Sequence, residues 1–142
     1  MPNVLPDPNS DFGQRVRSRL REDRVIWFVS MGADGTPAPN PVWFLWEDPR
    51  LLVYSGAGAH RLRHIARNPN VALHFNSTRE GGDIVVLRGV ARVAPDHPAA
   101  DAYQPYLDKY EASMVSVSGD IGRFARDYSV SVLIDVAGVR GF

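Results

Sequence analysis

The apolar residues of this chain come in short runs separated by turn signals, too close in sequence for crossover helices to join most of them. Residues 25–31 (Val-Ile-Trp-Phe-Val-Ser-Met) are β-branched and aromatic. They read as a strand, and the near-continuous apolar character points to burial on both faces. Asp34-Gly35 follows with a hairpin signal. Pro37, Pro39 and Pro41 deny ladder donors, so the next strand, residues 42–46, is expected to begin at an edge or a bulge. Glu47-Asp48-Pro49-Arg50 turns the chain into a third strand at 51–55. A fourth is expected at 71–76, and after a polar loop (77–82) a long fifth at 83–94, bent near Gly89. Residues 129–135 make a sixth, and 136–142 a last strand or hook. Strands that meet as hairpins exclude a doubly wound parallel sheet. They predict a mainly β fold, a six- to seven-stranded antiparallel barrel with short peripheral helices.

Between the strands lie helical patterns. Ser10 is a plausible N-cap for a helix ending near Asp23, with Phe12, Val16 and Leu20 recurring every four residues. Residues 60–67 form a short helix closed by Asn68-Pro69. Residues 99–110 read as a helix with Tyr103, Leu107 and Tyr110 on one side and Pro105 as a candidate kink. Residues 113–119 read as a loop, and 120–127 as a short helix with Ile121, Phe124 and Ala125 inward. The three prolines of residues 1–9 mark an irregular arm, leaving 10–142 as one domain, long enough for a real core.

Composition removes several function classes. Lys+Arg and Asp+Glu both number 16, so no bulk charge holds nucleic acid. With no cysteine, disulfides, thiolate catalysis and Cys-based metal sites are excluded. No apolar run approaches a membrane span. The N-terminal residues lack a basic start and an apolar stretch, so no signal peptide is read and a cytoplasmic protein is expected.

The chemistry concentrates in Ser55-Gly-Ala-Gly-Ala-His60-Arg61-Leu62-Arg63-His64-Ile65. A hydroxyl and small residues follow an apolar strand and lead into a basic helix. Small residues let a ligand approach the backbone, and helix-start amides favour an anion. Arg61 and Arg63 add fixed charge suited to phosphate. The competing reading is a flexible turn followed by a solvated helix face. The segment is neither a Walker loop nor a GxGxxG fingerprint.

In order and spacing, a series of landmarks resembles the pyridoxamine-phosphate-oxidase-like split β-barrel flavoproteins, and most of all the actinobacterial branch that uses the deazaflavin coenzyme F420. The series runs through Asp34-Gly35-Thr36-Pro37, Pro41-Val42-Trp43-Phe44-Leu45-Trp46 and Leu52-Val53-Tyr54-Ser55. It continues with Arg61-Leu62-Arg63-His64-Ile65, Asn68-Pro69-Asn70-Val71-Ala72-Leu73, residues 82–89 and Arg140-Gly141-Phe142. The family often has Lys where this chain has Arg61, and Asn where it has His64. The resemblance implies an FMN-binding split-barrel fold and a homodimer with cofactor sites at the subunit interface. It implies that Ser55, Arg61 and Arg63 hold the phosphate-bearing tail, and that Pro41, Val42, Trp43 and Tyr54 flank the ring. Phe142 would come from the neighbouring subunit or cap the pocket.

A flavin or deazaflavin carries the hydride chemistry, so the protein needs only to bind, orient and exclude water. Aromatics near the proposed pocket and few acid–base groups fit that division; no catalytic residue is assigned. His60 and His64 share a helix face but lack a completing Glu, so no metal site is read, and His64 is better placed to donate to a phosphate oxygen or a carbonyl. Arg88 reaches an anionic part of the cofactor or pairs across the sheet. Three functions remain: an F420-dependent oxidoreductase acting on a small electrophilic molecule, an FMN-binding oxidase or flavin reductase, and a non-catalytic flavin or deazaflavin carrier.

Overall fold

A computed structural model describes residues 4–142; the first three positions of the expected N-terminal arm lie outside the described residues. The elements run α1 (Asp11–Glu22), β1 (Ile26–Met31), β2 (Pro37–Val42), β3 (Leu45–Glu47), β4 (Arg50–Ser55), α2 (His60–Arg67), β5 (Asn70–His74) and β6 (Val85–Val93). A 3₁₀ turn at Ala100–Ala102, α3 (Gln104–Ser118), α4 (Ile121–Asp127) and β7 (Val130–Gly141) complete the chain. The strands form one sheet in the order β2-β1-β5-β6-β7-β4-β3, with every neighbouring pair antiparallel. The sheet curls into a split barrel flanked by the four helices.

Two apolar clusters follow from the alternation of side chains. Leu51 and Val53 of β4 join Phe28, Leu73, Leu87, Val132 and Ile134 inside the curl, plugged by Val16 and Leu20 of α1. Leu52 and Tyr54 point the other way, onto Tyr106, Tyr110, Met114 and Phe124 of α3 and α4. The strands buried on both faces are therefore β4 and the first half of β7, not β1. In β1, Ile26, Phe28 and Ser30 are buried while Trp27, Val29 and Met31 are half-buried. A continuous apolar run needs cover on both sides, and the helices opposite the barrel interior lie over β4 and the first half of β7, where Leu133 joins the helix-side cluster.

Several sequence expectations change. The proline run itself is strand β2, at a sheet edge where Pro39, facing Val29, costs no inner ladder bond. The expected strand 42–46 breaks at Trp43-Phe44 before β3 resumes. Residues 136–142 are no separate hook, because β7 runs unbroken through Gly141. The helix expected at 99–110 is a 3₁₀ turn followed by α3, and Pro105 sits in the first turn of α3, where a missing N–H costs nothing, so it makes no kink. The 113–119 loop is the last part of α3. The helix stops only at Gly119, whose φ of +93° suits a residue without Cβ. The buried face of α3 is Tyr106, Tyr110 and Met114 rather than Tyr103, Leu107 and Tyr110.

The bend at Gly89 is a register shift between Arg88 and Gly89 against β7. A Cβ there would lie 2.7 Å from the Asp135 carbonyl oxygen and 2.8 Å from Ile134 Cγ2. Gly89→Val is expected to cost about 1–3 kcal/mol through overpacking, read as a lower urea midpoint.

Candidate functional site

The end of β4 delivers Ser55, fully buried, and a loop of small residues carries the chain into α2. Arg61 and the buried Ile65 are four apart and share the inward face of α2; Arg63, two positions on, is exposed. Arg61 Nη1 donates to Ser55 Oγ at 3.0 Å, and Ser55 Oγ donates to the Gly56 carbonyl at 3.1 Å. Ser55 thus stands behind Arg61 and fixes it. The Arg61 Nε is buried and has no hydrogen-bond partner among the described residues. Burial lowers the Arg61 pKa, although a guanidinium keeps its charge. The first turn of α2 has neither a side-chain cap nor an acidic residue.

Arg61 opens onto a pocket of about 310 Å³. Pro41, Val42, Trp43 and Tyr54 form its strand side; Tyr106, Val117, Phe124 and Tyr128 form its helical side. Arg61 is the sole charged lining residue, and none is a histidine. The Trp43 ring lies between Tyr110 (4.9 Å, parallel) and Phe124 (5.4 Å, 12°). The break at Trp43-Phe44 is pinned from α3. Tyr110 Oη accepts from the Phe44 N–H at 3.0 Å and lies 2.6 Å from the Arg24 carbonyl oxygen, while Lys109 Nζ donates to the Asp23 and Phe44 carbonyls at 2.7 and 2.9 Å. Lys109 also sits 3.9 Å over the Phe44 ring, and burial first, then Arg24, pushes its pKa down to about 8.

The pocket tyrosines are poor acids. Burial raises the Tyr54 pKa, helped by Tyr103, Glu47 and Asp101, and its hydroxyl donates to the Pro98 carbonyl at 2.8 Å. Burial likewise raises that of Tyr106. These groups can orient or donate hydrogen bonds, not shuttle protons near neutral pH.

The structure thus brings together Pro41, Val42, Trp43, Tyr54 and Arg61, with Ser55 behind them. The others stand elsewhere. Arg63 and His60 bond to each other on the exposed side of α2. His64 Nδ1 lies 2.8 Å from Ser30 Oγ, tying α2 to β1. Arg88 lies across Gly138 in a separate groove of about 240 Å³ shared with Arg140. Phe142 has its carbonyl held by Arg15 at 3.0 Å and by the Ile84 N–H at 3.1 Å, with its side chain 72 % exposed. Sequence reasoning missed the helical wall. Its signal was the spacing of Tyr106, Tyr110 and Met114, which extends a helical face into the supposed loop. Among the described residues no three His, Asp or Glu side chains gather as a metal site, and no helix is long and apolar enough to cross a membrane.

A curled antiparallel half-barrel with a helix-capped aromatic pocket and one inward arginine defines a small split-barrel protein. The chain belongs to the pyridoxamine 5'-phosphate oxidase family, whose profile matches residues 12–139, and which comprises flavin-type oxidoreductases. A pyridoxine/pyridoxamine 5'-phosphate oxidase of Chromobacterium violaceum is 28 % identical over 118 residues, covering 78 % of this chain and 54 % of that protein. The chain therefore spans about half the length of this curated relative. A solved structure of an F420 reductase superposes with a TM-score of 0.70 at 22 % identity, over 87 % of this chain and 94 % of that one. General stress protein 26 of Bacillus anthracis superposes with 0.66 at 17 % identity, over 89 % of each chain. The heme storage protein HutZ of Vibrio cholerae superposes with 0.62 at 13 % identity, over 90 % of this chain and 92 % of that one. These likenesses show the fold.

The pocket fits a flavin-type group. The unpaired, buried Arg61 Nε offers a donor to an anion, and the flat walls are aromatic.

Proposed function

We propose that this protein is an oxidoreductase that uses the deazaflavin F420 to reduce a small electrophilic molecule. The observation that carries the reading is the buried, unpaired Arg61 Nε in an otherwise uncharged aromatic pocket. Arg61 binds the acidic tail, Ser55 holds Arg61 in place, and the uncapped first turn of α2 adds its N–H dipoles. Pro41, Val42 and Trp43 lie along the ring, and the helical wall excludes water. When bound, the coenzyme supplies the hydride chemistry. The likeness to an F420 reductase supports this choice of coenzyme. Membership of the pyridoxamine 5'-phosphate oxidase family supports FMN as the alternative. A histidine-free pocket speaks against heme iron at this site. Arg88 and Phe142, outside the pocket of their own chain, are the residues a second copy contributes in a homodimer with the cofactor at the interface.

Titrating the apoprotein with F420 and FMN side by side tests the reading. Arg61→Ala is expected to weaken binding roughly 10- to 100-fold, the worth of a charge-assisted hydrogen bond. Arg63→Ala, on the exposed face, is expected to have a smaller effect. Wild-type affinity in Arg61→Ala removes the assignment.

A further inference from the structure

One tyrosine of the pocket carries a hydroxyl that neither the fold nor the coenzyme reading uses. Tyr106 is 1 % exposed, and its ring is fixed between Tyr54 (4.7 Å, edge-on) and Tyr110 (4.9 Å). The hydroxyls of Tyr54, Tyr110 and Tyr103 are engaged, the first with the Pro98 carbonyl, the second with Arg24 and Phe44, the third with Glu47. The Tyr106 hydroxyl has no hydrogen-bond partner among the described residues, although Tyr106 lines the pocket. The oxygen itself is accessible rather than sealed in the core, so it is open to a ligand in the pocket that its ring lines.

Arg61 Nε and Tyr106 Oη, neither with a partner among the described residues, therefore belong to side chains that line one aromatic pocket. They ask for a flat ligand with an anionic group for the first and an oxygen acceptor for the second. Resting on the reading above, we infer that Tyr106 Oη donates a hydrogen bond to a ring carbonyl oxygen of the coenzyme and binds its reduced form more tightly than its oxidised form. Two-electron reduction adds negative charge to the carbonyl edge of such a ring, and a fixed donor in a water-poor site favours the form with more charge there. Burial keeps the phenol protonated, so it remains a donor.

Tyr106→Phe removes only the oxygen. Its apoprotein is expected to melt at the wild-type temperature, because no protein partner is lost. Anaerobic titrations with F420 and FMN are expected to show roughly threefold weaker binding of the oxidised form and about 30-fold weaker binding of the reduced form. That tenfold difference lowers the midpoint potential of the bound coenzyme by about 30 mV. Equal loss in both redox states, no loss in either, or a lower melting temperature of the apoprotein overturns the inference. If wild type binds neither coenzyme, or Arg61→Ala binds as wild type does, the reading of the pocket fails and takes this inference with it. If Arg61→Ala loses affinity and Tyr106→Phe does not, the inference alone fails.

Discussion

Raising the pH from about 10 to about 12 is expected to remove most of the stability of this protein, at a slope approaching roughly 4 kcal/mol per pH unit. The cause is the tyrosine cluster between the sheet and α3. Tyr54, Tyr106 and Tyr110 are 7 %, 1 % and 1 % exposed, and burial raises the pKa of each above the ordinary value of 10.0, that of Tyr110 to about 12. An acid whose folded pKa is raised holds its proton in the fold after the unfolded chain has released it. Its contribution is complete below the unfolded pKa and is lost as the pH climbs towards the folded value. Three such groups acting together match the ~5–15 kcal/mol total of a typical domain within two to three pH units. Lys109 acts in the opposite sense. Its folded pKa of about 8 lies below the ordinary value of 10.5, so between these values the unfolded chain binds more protons and stability rises with pH. Lys109 is one partly exposed group whose carbonyl bonds and ring contact favour the cation, so this rise should be about 1 kcal/mol after screening. Urea midpoints measured across the alkaline range check both signs. A shallow rise to near pH 10 followed by collapse is expected, and Lys109→Met should flatten the rise alone. A midpoint independent of pH above 10 would show that the cluster ionises without cost.

The strand half of the site was legible in the sequence because its signals are local. Asp34-Gly35 announces a hairpin, the proline run announces an edge, and the apolar run before Ser55 places a basic helix start at a strand end. The helical half was not legible, because α3 is weakly patterned. Val115 and Val117 are exposed on it and Ser118 is buried, so no clean amphipathic period marks residues 113–118. Val117 and Tyr106 reach the pocket only because Lys109 and Tyr110 rivet α3 to the break at Trp43-Phe44, a contact across more than sixty residues of chain. Arg61 and Arg63 looked equivalent in sequence. Helix geometry separates them, since two residues span about 200° of the helix circumference. Ser55 looked like a ligand group, and its burial behind Arg61 makes it a positioning one. Phe142 entered through resemblance and Arg88 through its place beside the Gly89 bend, and one chain brings neither to the pocket.

Phe124→Ala is expected to cost about 3–5 kcal/mol and to remove the helical wall of the pocket in the same step. α4 has only seven residues, too few to persist alone in water, and its local support is the Asp120 cap, whose Oδ1 accepts from the Arg123 N–H at 2.8 Å. What fixes α4 against the domain is therefore Phe124, 3 % exposed, stacked on Trp43 at 5.4 Å and tilted against Tyr128 at 4.6 Å, with Ala125 beside it. Truncation leaves a cavity beneath a short helix and frees one face of Trp43, so two neighbouring wall residues lose their support with the first. Phe124→Leu fills most of the volume and should recover more than half of the stability while leaving the ring stack broken. If the stack matters to the ligand, Phe124→Leu binds the coenzyme more weakly than wild type despite its recovered fold. Urea unfolding of the two variants beside coenzyme titration of Phe124→Leu separates wall from core. A loss under 1 kcal/mol in Phe124→Ala would mean that α4 is held by something other than this ring.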